Sequence, residues 1–187
     1  MIRPVNAADA QAICGIYNYY VANTAITFEE EPISAGEMER RIRDFTAKYP
    51  WFVWEEAGEI AAYAYVNKWK ERAAYRYAAE LSIYVKFGKE GQGIGGELLA
   101  HLLEAVKKTE IHALVSGITL PNERSVALHE KFGFREIARF SEIGFKLGAW
   151  LDVGYWELIM NGGEGKAAAG RGNLKRAGQC GDGAGRG

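Results

Sequence analysis

The sequence predicts an α+β fold with one central mixed, mostly antiparallel sheet flanked by helices. Segments whose apolar residues alternate, as in strands, are interspersed with segments whose apolar residues recur every three or four positions, as in helices. Their order along the chain is β-α-α-β-β-β-α-β-α-β-β, which indicates a mixed layout around one sheet. Because 187 residues is an ordinary size for one domain and 48% of them are apolar, we expect a single folded domain at residues 1–160.

The first part of the chain carries two helix-capping signals and a hairpin pattern. Asn6, with Asp9 three residues later, is predicted to cap the first helix, and Ser34, with Glu37 three residues later, the second. Two runs rich in β-branched and aromatic residues flank a short turn, which is typical of a hairpin. The predicted elements are a strand at Ile2 to Val5, a helix through Val21, a helix to about Lys48, and strands at Trp51 to Glu55 and Glu59 to Val66.

The stretch from Glu80 to Leu99 predicts a strand, a glycine loop and a helix in direct succession. Alternating apolar residues end near Val85, so the strand is expected to end there. An amphipathic pattern begins at Ile94, and a helix N-terminus presents free N–H groups and a positive dipole end. The loop is therefore predicted to bind an anion such as a phosphate. Four glycines in it can take positive φ and let the backbone approach a ligand: Gly91, Gly93, Gly95 and Gly96.

Known phosphate-binding loops differ in what surrounds their glycines. A Walker A loop ends in Gly-Lys-Ser/Thr, whereas Gly95 is followed here by Gly96 and Glu97, which excludes that motif. The dinucleotide fingerprint G-x-G-x-x-G is formally matched, but it requires an acid about 20 residues further on, at the end of the next strand. The next predicted strand, at 113–119, contains no acid. A plain structural turn stays open as an alternative to a phosphate site.

The rest of the folded region predicts a connector, a strand, a helix and two final strands. Residues 69–76 interrupt the sheet with two arginines and a tyrosine, and they are either a solvated connector or residues that face a substrate. Pro121 to Ser125 is predicted to open a helix that ends at Gly133. The strands are predicted at His112 to Thr119, Phe134 to Leu147 and Val153 to Met160, with residues 148–151 bending between the last two.

Composition argues against several classes of function. A net charge of −1 gives no general electrostatic basis for nucleic-acid binding. No apolar run suits a leader or a membrane span, so we expect a cytoplasmic protein without a membrane partner. With Cys14 and Cys180 as the only cysteines, neither a disulfide framework nor a metal site is predicted. Residues 161–187 are rich in glycine with little to bury, and a disordered tail is expected there.

Six stretches of the sequence match one known family in order. Glu90 to Gly95 matches a pyrophosphate loop usually written Arg/Gln-x-x-Gly-x-Gly/Ala, and Asn122 to Phe134 matches an Asn-x-x-Ser-x-x-Leu-x-x-x-x-Gly-Phe segment. The other four stretches are Thr27 to Pro32, Ala74 to Arg76, Glu80 to Val85 and Gly144 to Val153. Together they resemble the phosphinothricin N-acetyltransferase family of the GNAT superfamily. The resemblance extends from Ile2 to about Met160 and implies the GNAT (acyl-CoA N-acyltransferase) fold.

The resemblance also implies an activity and a site. Family members transfer acetyl from acetyl-CoA, without a metal, to the α-amino group of small amino acids and of analogues such as phosphinothricin, methionine sulfoximine and methionine sulfone; homodimers are expected. By position, Glu80 would be the catalytic general base. The acceptor pocket would be lined by Phe28, Arg72, Ala73, Ala74, Tyr75 and Arg76. Coenzyme A would contact Ile83, Tyr84, Val85, Gly91, Gln92, Gly93, Ile94, Gly95, Gly96, Asn122, Ser125 and Lys131.

Two positions depart from the family pattern. Glu90 stands where Arg or Gln is usual, and a carboxylate near a pyrophosphate predicts weaker acetyl-CoA binding. His129 stands where many superfamily members place a tyrosine general acid, and on a helix that packs apolar residues we interpret it as a structural or surface residue. The leading hypothesis is direct acetyl transfer in a ternary complex. The alternatives are a non-catalytic acyl-CoA-binding module, or an acetyltransferase for a polyamine or a peptide amine.

Overall fold

The computed structural model describes residues 1–160 and arranges seven strands in one sheet with the order β1-β2-β3-β4-β5-β7-β6. Neighbouring strands are antiparallel except β4 and β5, which confirms the predicted α+β fold with a mixed, mostly antiparallel sheet. The tail expected at 161–187 lies outside the described residues. The strands are β1 (Ile2–Pro4), β2 (Trp51–Glu56), β3 (Glu59–Lys68), β4 (Ala78–Val85), β5 (Ala113–Leu120), β6 (Arg135–Lys146) and β7 (Ala149–Ile159), and the helices are α1 (Ala10–Asn23), α2 (Ala35–Thr46), α3 (Ile94–Val106) and α4 (Glu123–Lys131).

Ser34 caps α2 as predicted, whereas Asn6 caps a 3-10 turn that precedes α1, and α1 itself has no side-chain cap. Asn6 accepts the N–H of Ala8, and Asp9 accepts the N–H of Asn6 at 2.8 Å, which completes a capping box. This box begins a single 3-10 turn that leads directly into α1. The Ser34 hydroxyl accepts the N–H of Glu37 at 3.1 Å at the start of α2. Each cap satisfies an N–H group that the helix itself leaves unpaired.

Helices cover both faces of the sheet. Helix α3 buries Leu98, Leu99 and Leu102 against one face, and α1 and α2 bury side chains such as Ile13 and Met38 against the other. Since side chains alternate along a strand, β4 presents two different surfaces. Its odd-numbered residues pack toward α3, and Glu80, Ser82 and Tyr84 lie on the α1–α2 side.

The parallel strands β4 and β5 pair over only three residues and then separate. Ala78 to Glu80 pairs with Ala113 to Val115, whereas both strands continue for five further residues. Where the separation begins, the Ser116 hydroxyl donates to the carbonyl oxygen of Leu81 at 3.2 Å. A wedge-shaped opening therefore forms in the middle of the sheet, and Glu80 stands at its vertex.

Two local predictions are wrong in detail. Strand β7 begins at Ala149 and not at Val153, because the chain reverses in a two-residue turn at Leu147 and Gly148, both with positive φ. Residues 149–151, which were predicted to bend, therefore pair with β6. In the glycine loop only Gly91 and Gly93 have positive φ, whereas Gly95 and Gly96 already belong to the first turn of α3.

Residues 1–160 contain neither a membrane-spanning helix nor a metal-binding cluster. No helix in this range has the length and apolar character needed to cross a bilayer. The same residues contain no cluster of three or more His, Cys, Asp or Glu side chains arranged to hold a metal ion.

Candidate active site

A cavity of about 560 Å³ opens beside the separated end of β4. It lies between the strand, the glycine loop with the start of α3, and one face of α4. The residues predicted to contact coenzyme A line it, except Gln92, which is exposed and does not line the cavity. The predicted lining residues found there are Ile83, Tyr84, Val85, Gly91, Gly93, Ile94, Gly95, Gly96, Asn122, Ser125 and Lys131.

The glycine loop presents backbone N–H groups to this cavity. Gly93 is the N-cap of α3 with φ of 85°, and no side chain caps the helix there. Gly91, with φ of 78°, has no neighbour within 4 Å of the position a Cβ would take. The first-turn N–H groups and the positive end of the helix dipole therefore face space that an anionic group can enter. This geometry fits a pyrophosphate.

The exposed edge of β4 offers further N–H groups. The N–H of Lys86 donates to the carbonyl of Ala61, and hydrogen-bonded pairs alternate along an antiparallel ladder. Even-numbered residues of β4 therefore bond to β3, and the N–H groups of Ile83 and Val85 point into the wedge. The Tyr20 hydroxyl from α1 donates to the Val85 carbonyl at 2.6 Å and fixes the end of this edge. An acyl oxygen or an amide of an extended ligand could bond here.

The Glu90 side chain bonds back to the backbone at the start of the glycine loop. Its carboxylate accepts the N–H of Gly88 at 2.7 Å and lies 3.4 Å from the Tyr20 hydroxyl. Burial, followed by the negative charge of Glu90, raises the pKa of Tyr20, so Tyr20 stays a neutral donor. The carboxylate thus shapes the loop, while its charge lies beside the part of the cavity that would hold a phosphate.

Replacing Glu90 with Gln is expected to strengthen acetyl-CoA binding. The amide oxygen can still accept the Gly88 N–H, while the negative charge is removed. We expect the Kd to fall by roughly 3- to 10-fold at low ionic strength, and by less at high salt because screening weakens the repulsion. Calorimetric titration at two salt concentrations measures this effect. Glu90→Ala is the control, since it also removes the loop contact; equal affinity for Glu90→Gln and the parent would contradict the repulsion.

Glu80 combines partial burial with a lack of ion pairing among residues 1–160. Its side chain lies at the vertex of the wedge, opposite Asn67 on β3 and Val115 on β5. Burial raises the pKa of Glu80, and the ammonium of Lys70 partly opposes that effect. A carboxylate with a raised pKa in a cleft is suited to accept a proton near neutral pH.

Aromatic side chains surround this carboxylate on the same face. Burial raises the pKa of Tyr65 to about 12 and also raises that of Tyr155, and the charge of Glu80 contributes to both shifts. The Tyr155 ring lies over Gly117 on β5, and Trp69 meets its edge with ring centroids 5.6 Å apart. Glu80 therefore shares this face of the sheet with the rings of Tyr65, Tyr155 and Trp69.

The segment between α1 and α2 covers the wedge from above. The Lys146 ammonium, which is buried, donates to the Thr27 carbonyl at 2.6 Å, and Glu29 forms an ion pair with Arg41 at 2.8 Å. Phe28 packs so closely on Gly144 that a Cβ there would lie 2.3 Å from the Phe28 ring. Phe28, predicted to line the acceptor pocket, is therefore held on β6 at the rim of the opening, with 40% of its surface exposed.

The other predicted acceptor residues lie on the connector before β4 and are exposed. Ala73 to Tyr75 form a single 3-10 turn. The Arg76 guanidinium lies 4.4 Å from the centre of the Tyr77 ring and donates to the Ala73 carbonyl. Within the described part of the chain, the Arg72 guanidinium forms no hydrogen bond or ion pair. The connector thus carries two exposed arginines a few residues before Glu80.

His129 is buried on α4 and does not line the cavity. Its Nδ1 is 2.8 Å from the Ser125 carbonyl, and its ring meets Phe134 edge to face. Burial lowers the pKa of His129, so the imidazole is neutral. Because a neutral ring that donates from Nδ1 leaves Nε2 unprotonated, this histidine has no acidic proton toward the cavity in the observed arrangement.

Six lining residues were not predicted from the sequence. Arg124, Ala127 and Leu128 share a helical face with Asn122, Ser125 and Lys131, so their three- and four-residue spacing could have identified them. Tyr20, Ile26 and Lys89 come from other parts of the chain. For Tyr20 no local signal exists, since it reaches Val85 across 65 positions of sequence.

Comparisons with known proteins agree with this geometry. A family model described as "Acetyltransferase (GNAT) domain" matches residues 2–154. The phosphinothricin N-acetyltransferase of Streptomyces viridochromogenes is 36% identical over 156 residues, which span 83% of this chain and 85% of that protein. The L-methionine sulfoximine/L-methionine sulfone acetyltransferase of Salmonella typhimurium is 33% identical over 164 residues, spanning 86% and 94%.

A solved structure gives the same result in three dimensions. The GNAT superfamily phosphinothricin acetyltransferase of Sinorhizobium meliloti, crystallised in complex with AcCoA, superposes with a TM-score of 0.82 at 33% identity. The match covers 88% of this chain and 94% of that chain. Sequence and fold therefore agree with the resemblance that the motifs predicted. The chain belongs to the GNAT family of acetyltransferases, where its relatives include phosphinothricin and methionine sulfoximine or sulfone N-acetyltransferases.

Proposed function

We propose that this protein transfers the acetyl group of acetyl-CoA to the α-amino group of a small amino acid or amino-acid analogue. The observation that carries the proposal is the position of Glu80. A partly buried carboxylate stands at the vertex of the β4–β5 wedge, on the strand whose last three residues line the cavity beside the glycine loop. A base is thus available where an amine from one side would meet a thioester from the other.

The residues support direct transfer in a ternary complex. Glu80 accepts a proton from the ammonium form of the substrate, directly or through water, and leaves a free lone pair on the nitrogen. The amine attacks the thioester carbonyl, and its oxygen takes the negative charge beside the free N–H groups of Ile83 and Val85. The tetrahedral intermediate collapses with loss of the coenzyme A thiolate, which leaves readily because its conjugate thiol has a pKa near 8.5, and the extra proton on the attacking nitrogen passes to the thiolate or to solvent. Direct transfer does not require a cysteine nucleophile.

The proposed acceptor class rests on charge and on the relatives. A free amino acid brings one ammonium and one carboxylate. Glu80 suits the ammonium, and the exposed guanidinium groups of Arg72 and Arg76, on the connector before β4, suit a carboxylate or phosphinate. Relatives named for phosphinothricin, methionine sulfoximine and methionine sulfone support the same class.

Product identification tests this proposal. The protein is incubated with acetyl-CoA and, separately, with phosphinothricin, L-methionine sulfone, L-methionine sulfoximine, each standard amino acid, spermidine and a short peptide, and the products are identified by mass spectrometry. We expect an Nα-acetyl product with at least one amino acid or analogue. A product only with spermidine or the peptide would replace the acceptor class, and no product from any amine would contradict the proposed function.

We further propose that two copies of the chain associate through the β6–β7 hairpin. Its strands expose a row of large apolar side chains at the end of the sheet. A monomer rarely exposes such a patch, so its presence indicates a partner that covers it. Phe145 and Trp150 are 54% and 63% exposed and contact each other across the hairpin at 5.1 Å. The family resemblance implies a homodimer, and the exposed apolar surface of the hairpin supports an interface at this position.

Replacing Trp150 with Ser is expected to convert the dimer to a monomer. The change removes a large apolar contact from the centre of the proposed interface but no core packing, because the side chain is mostly exposed. Light scattering coupled to size-exclusion chromatography measures the mass. Phe87→Ser is the matched control, since Phe87 is 64% exposed but lies just after the C-terminal end of β4 and not on the hairpin. This variant should leave the dimer intact. A monomeric parent protein would remove this proposal.

A further inference from the structure

Asn67 is the polar residue that stands directly beside Glu80 on the sheet. The two residues are partners in the antiparallel pairing of β3 and β4. Directly opposed residues project from the same face, with Cβ atoms about 5 Å apart. Val66 and Leu81, their neighbours in sequence, both lie in the core on the α3 side, which places Asn67 and Glu80 together on the other face.

The side-chain oxygen of Asn67 is buried without a donor. Among residues 1–160, no backbone or side-chain group donates to Asn67 Oδ1. A buried carbonyl oxygen without a hydrogen bond is unfavourable, and native structures contain few of them. Two other buried atoms share this property, Trp51 Nε1 and His129 Nε2, but both belong to other parts of the fold. Of these three residues, only Asn67 is paired across strands with the proposed base.

We propose that Asn67 Oδ1 accepts a hydrogen bond from the protonated carboxyl group of Glu80. This inference rests on the proposed function, in which Glu80 takes a proton from the substrate amine. An ionised carboxylate has no proton to donate, so it leaves Oδ1 unpaired, whereas the carboxylic acid can donate its O–H to that oxygen. Asn67 thus stabilises the protonated form and acts as a positioning residue for the base.

The other charged and titratable groups near Glu80 differ from Asn67, whose side-chain oxygen is buried without a donor. Lys70 favours the ionised form of Glu80 and is exposed. Tyr65 and Tyr155 have raised pKa values, so both stay neutral at working pH. Glu157 lies two strands away across Val115, on the same face. Asn67 is therefore the neighbour that distinguishes the two protonation states of Glu80 by a hydrogen bond.

Two substitutions at position 67 should move the pH dependence in opposite directions. Asn67→Leu keeps a similar volume but removes the acceptor, so the acidic limb of kcat/KM is expected to shift to lower pH by about half to one unit. Asn67→Asp places a second carboxylate beside Glu80, so the limb is expected to shift to higher pH by about one unit or more. A merely structural asparagine would lower activity without moving the limb. Asn23→Asp on α1 adds the same charge far from Glu80 and should leave the limb in place.

Thermal unfolding provides a test that needs no activity. Gln at position 80 can donate an N–H to Asn67 Oδ1 at every pH, as the protonated acid does. We therefore expect Asn67→Leu to lower the Tm more in Glu80→Gln than in the parent at pH 7, and equally in both below about pH 4, where Glu80 is protonated. The same Tm loss in both backgrounds at pH 7, together with unmoved pH profiles, would overturn this inference. Absent turnover by the parent, with the expected Tm coupling intact, would instead overturn the proposed function alone.

Discussion

Replacing Glu80 with Gln is expected to lower kcat for amine acetylation by about 100-fold or more, with little change in acetyl-CoA affinity. Gln has nearly the same shape but cannot accept the proton that the ammonium must lose before attack. Glu80 does not line the coenzyme A cavity, so the Kd of acetyl-CoA should stay within about twofold of the parent value. Steady-state kinetics and calorimetric titration separate the two effects. Undiminished turnover in Glu80→Gln would keep the enzyme and discard Glu80 as its base.

The same substitution is expected to stabilise the fold at neutral pH. Burial raises the pKa of Glu80 above its ordinary value of 4.5, so the folded state favours the protonated form. The corresponding stability is fully present below about pH 4.5 and is lost as the pH rises through the pKa of the folded state. Glu80→Gln is neutral throughout, so its Tm should exceed that of the parent at pH 7 and equal it below about pH 4. A lower Tm at pH 7 would contradict the burial of an unpaired charge.

Replacing Gly95 with Leu is expected to abolish useful binding of acetyl-CoA. A Cβ at this position would lie 3.6 to 3.8 Å from Leu128, Val85 and Ile83, which is ordinary contact, so Ala fits. The further atoms of Leu would enter the cavity that these residues line. We expect the Kd to rise by about 100-fold, which corresponds to roughly 2.7 kcal/mol of lost binding free energy.

Gly95→Ala is the matched control for this change. Position 95 lies in the first turn of α3 without positive φ, so neither variant is strained and both should keep the parent Tm within a few degrees. Gly95→Ala should bind acetyl-CoA within about threefold of the parent. Unchanged affinity in the Leu variant would show that the ligand does not occupy this cavity.

Short-range patterns in the sequence predicted most of the fold. The Asn6 and Ser34 caps bond to N–H groups within three residues, so local chemistry alone sets where the 3-10 turn before α1 and helix α2 begin. The start of β7 was missed because its turn needs positive φ at Leu147, a residue type that gives no turn signal. Cross-strand pairing with β6 stabilises that conformation, and no local pattern encodes it.

The candidate site likewise contains parts that could be predicted from the sequence and parts that could not. The glycine loop and the face of α4 could be predicted because each is one continuous segment with a readable spacing. The Tyr20 contact with Val85, the Lys146 contact with Thr27 and the pairing of Asn67 with Glu80 join segments far apart in sequence. Only the assembled sheet brings these groups together, so residue types and spacing could not predict them.

The most direct test of the proposed reaction is the initial rate of coenzyme A thiol release with acetyl-CoA and the identified amine both varied. We expect release that depends on the amine and double-reciprocal lines that intersect, as direct transfer in a ternary complex requires. Parallel lines would instead indicate a covalent acetyl-enzyme, and bound acetyl-CoA without amine-dependent release would indicate a non-catalytic binding module. Either result would contradict direct transfer with Glu80 as the base.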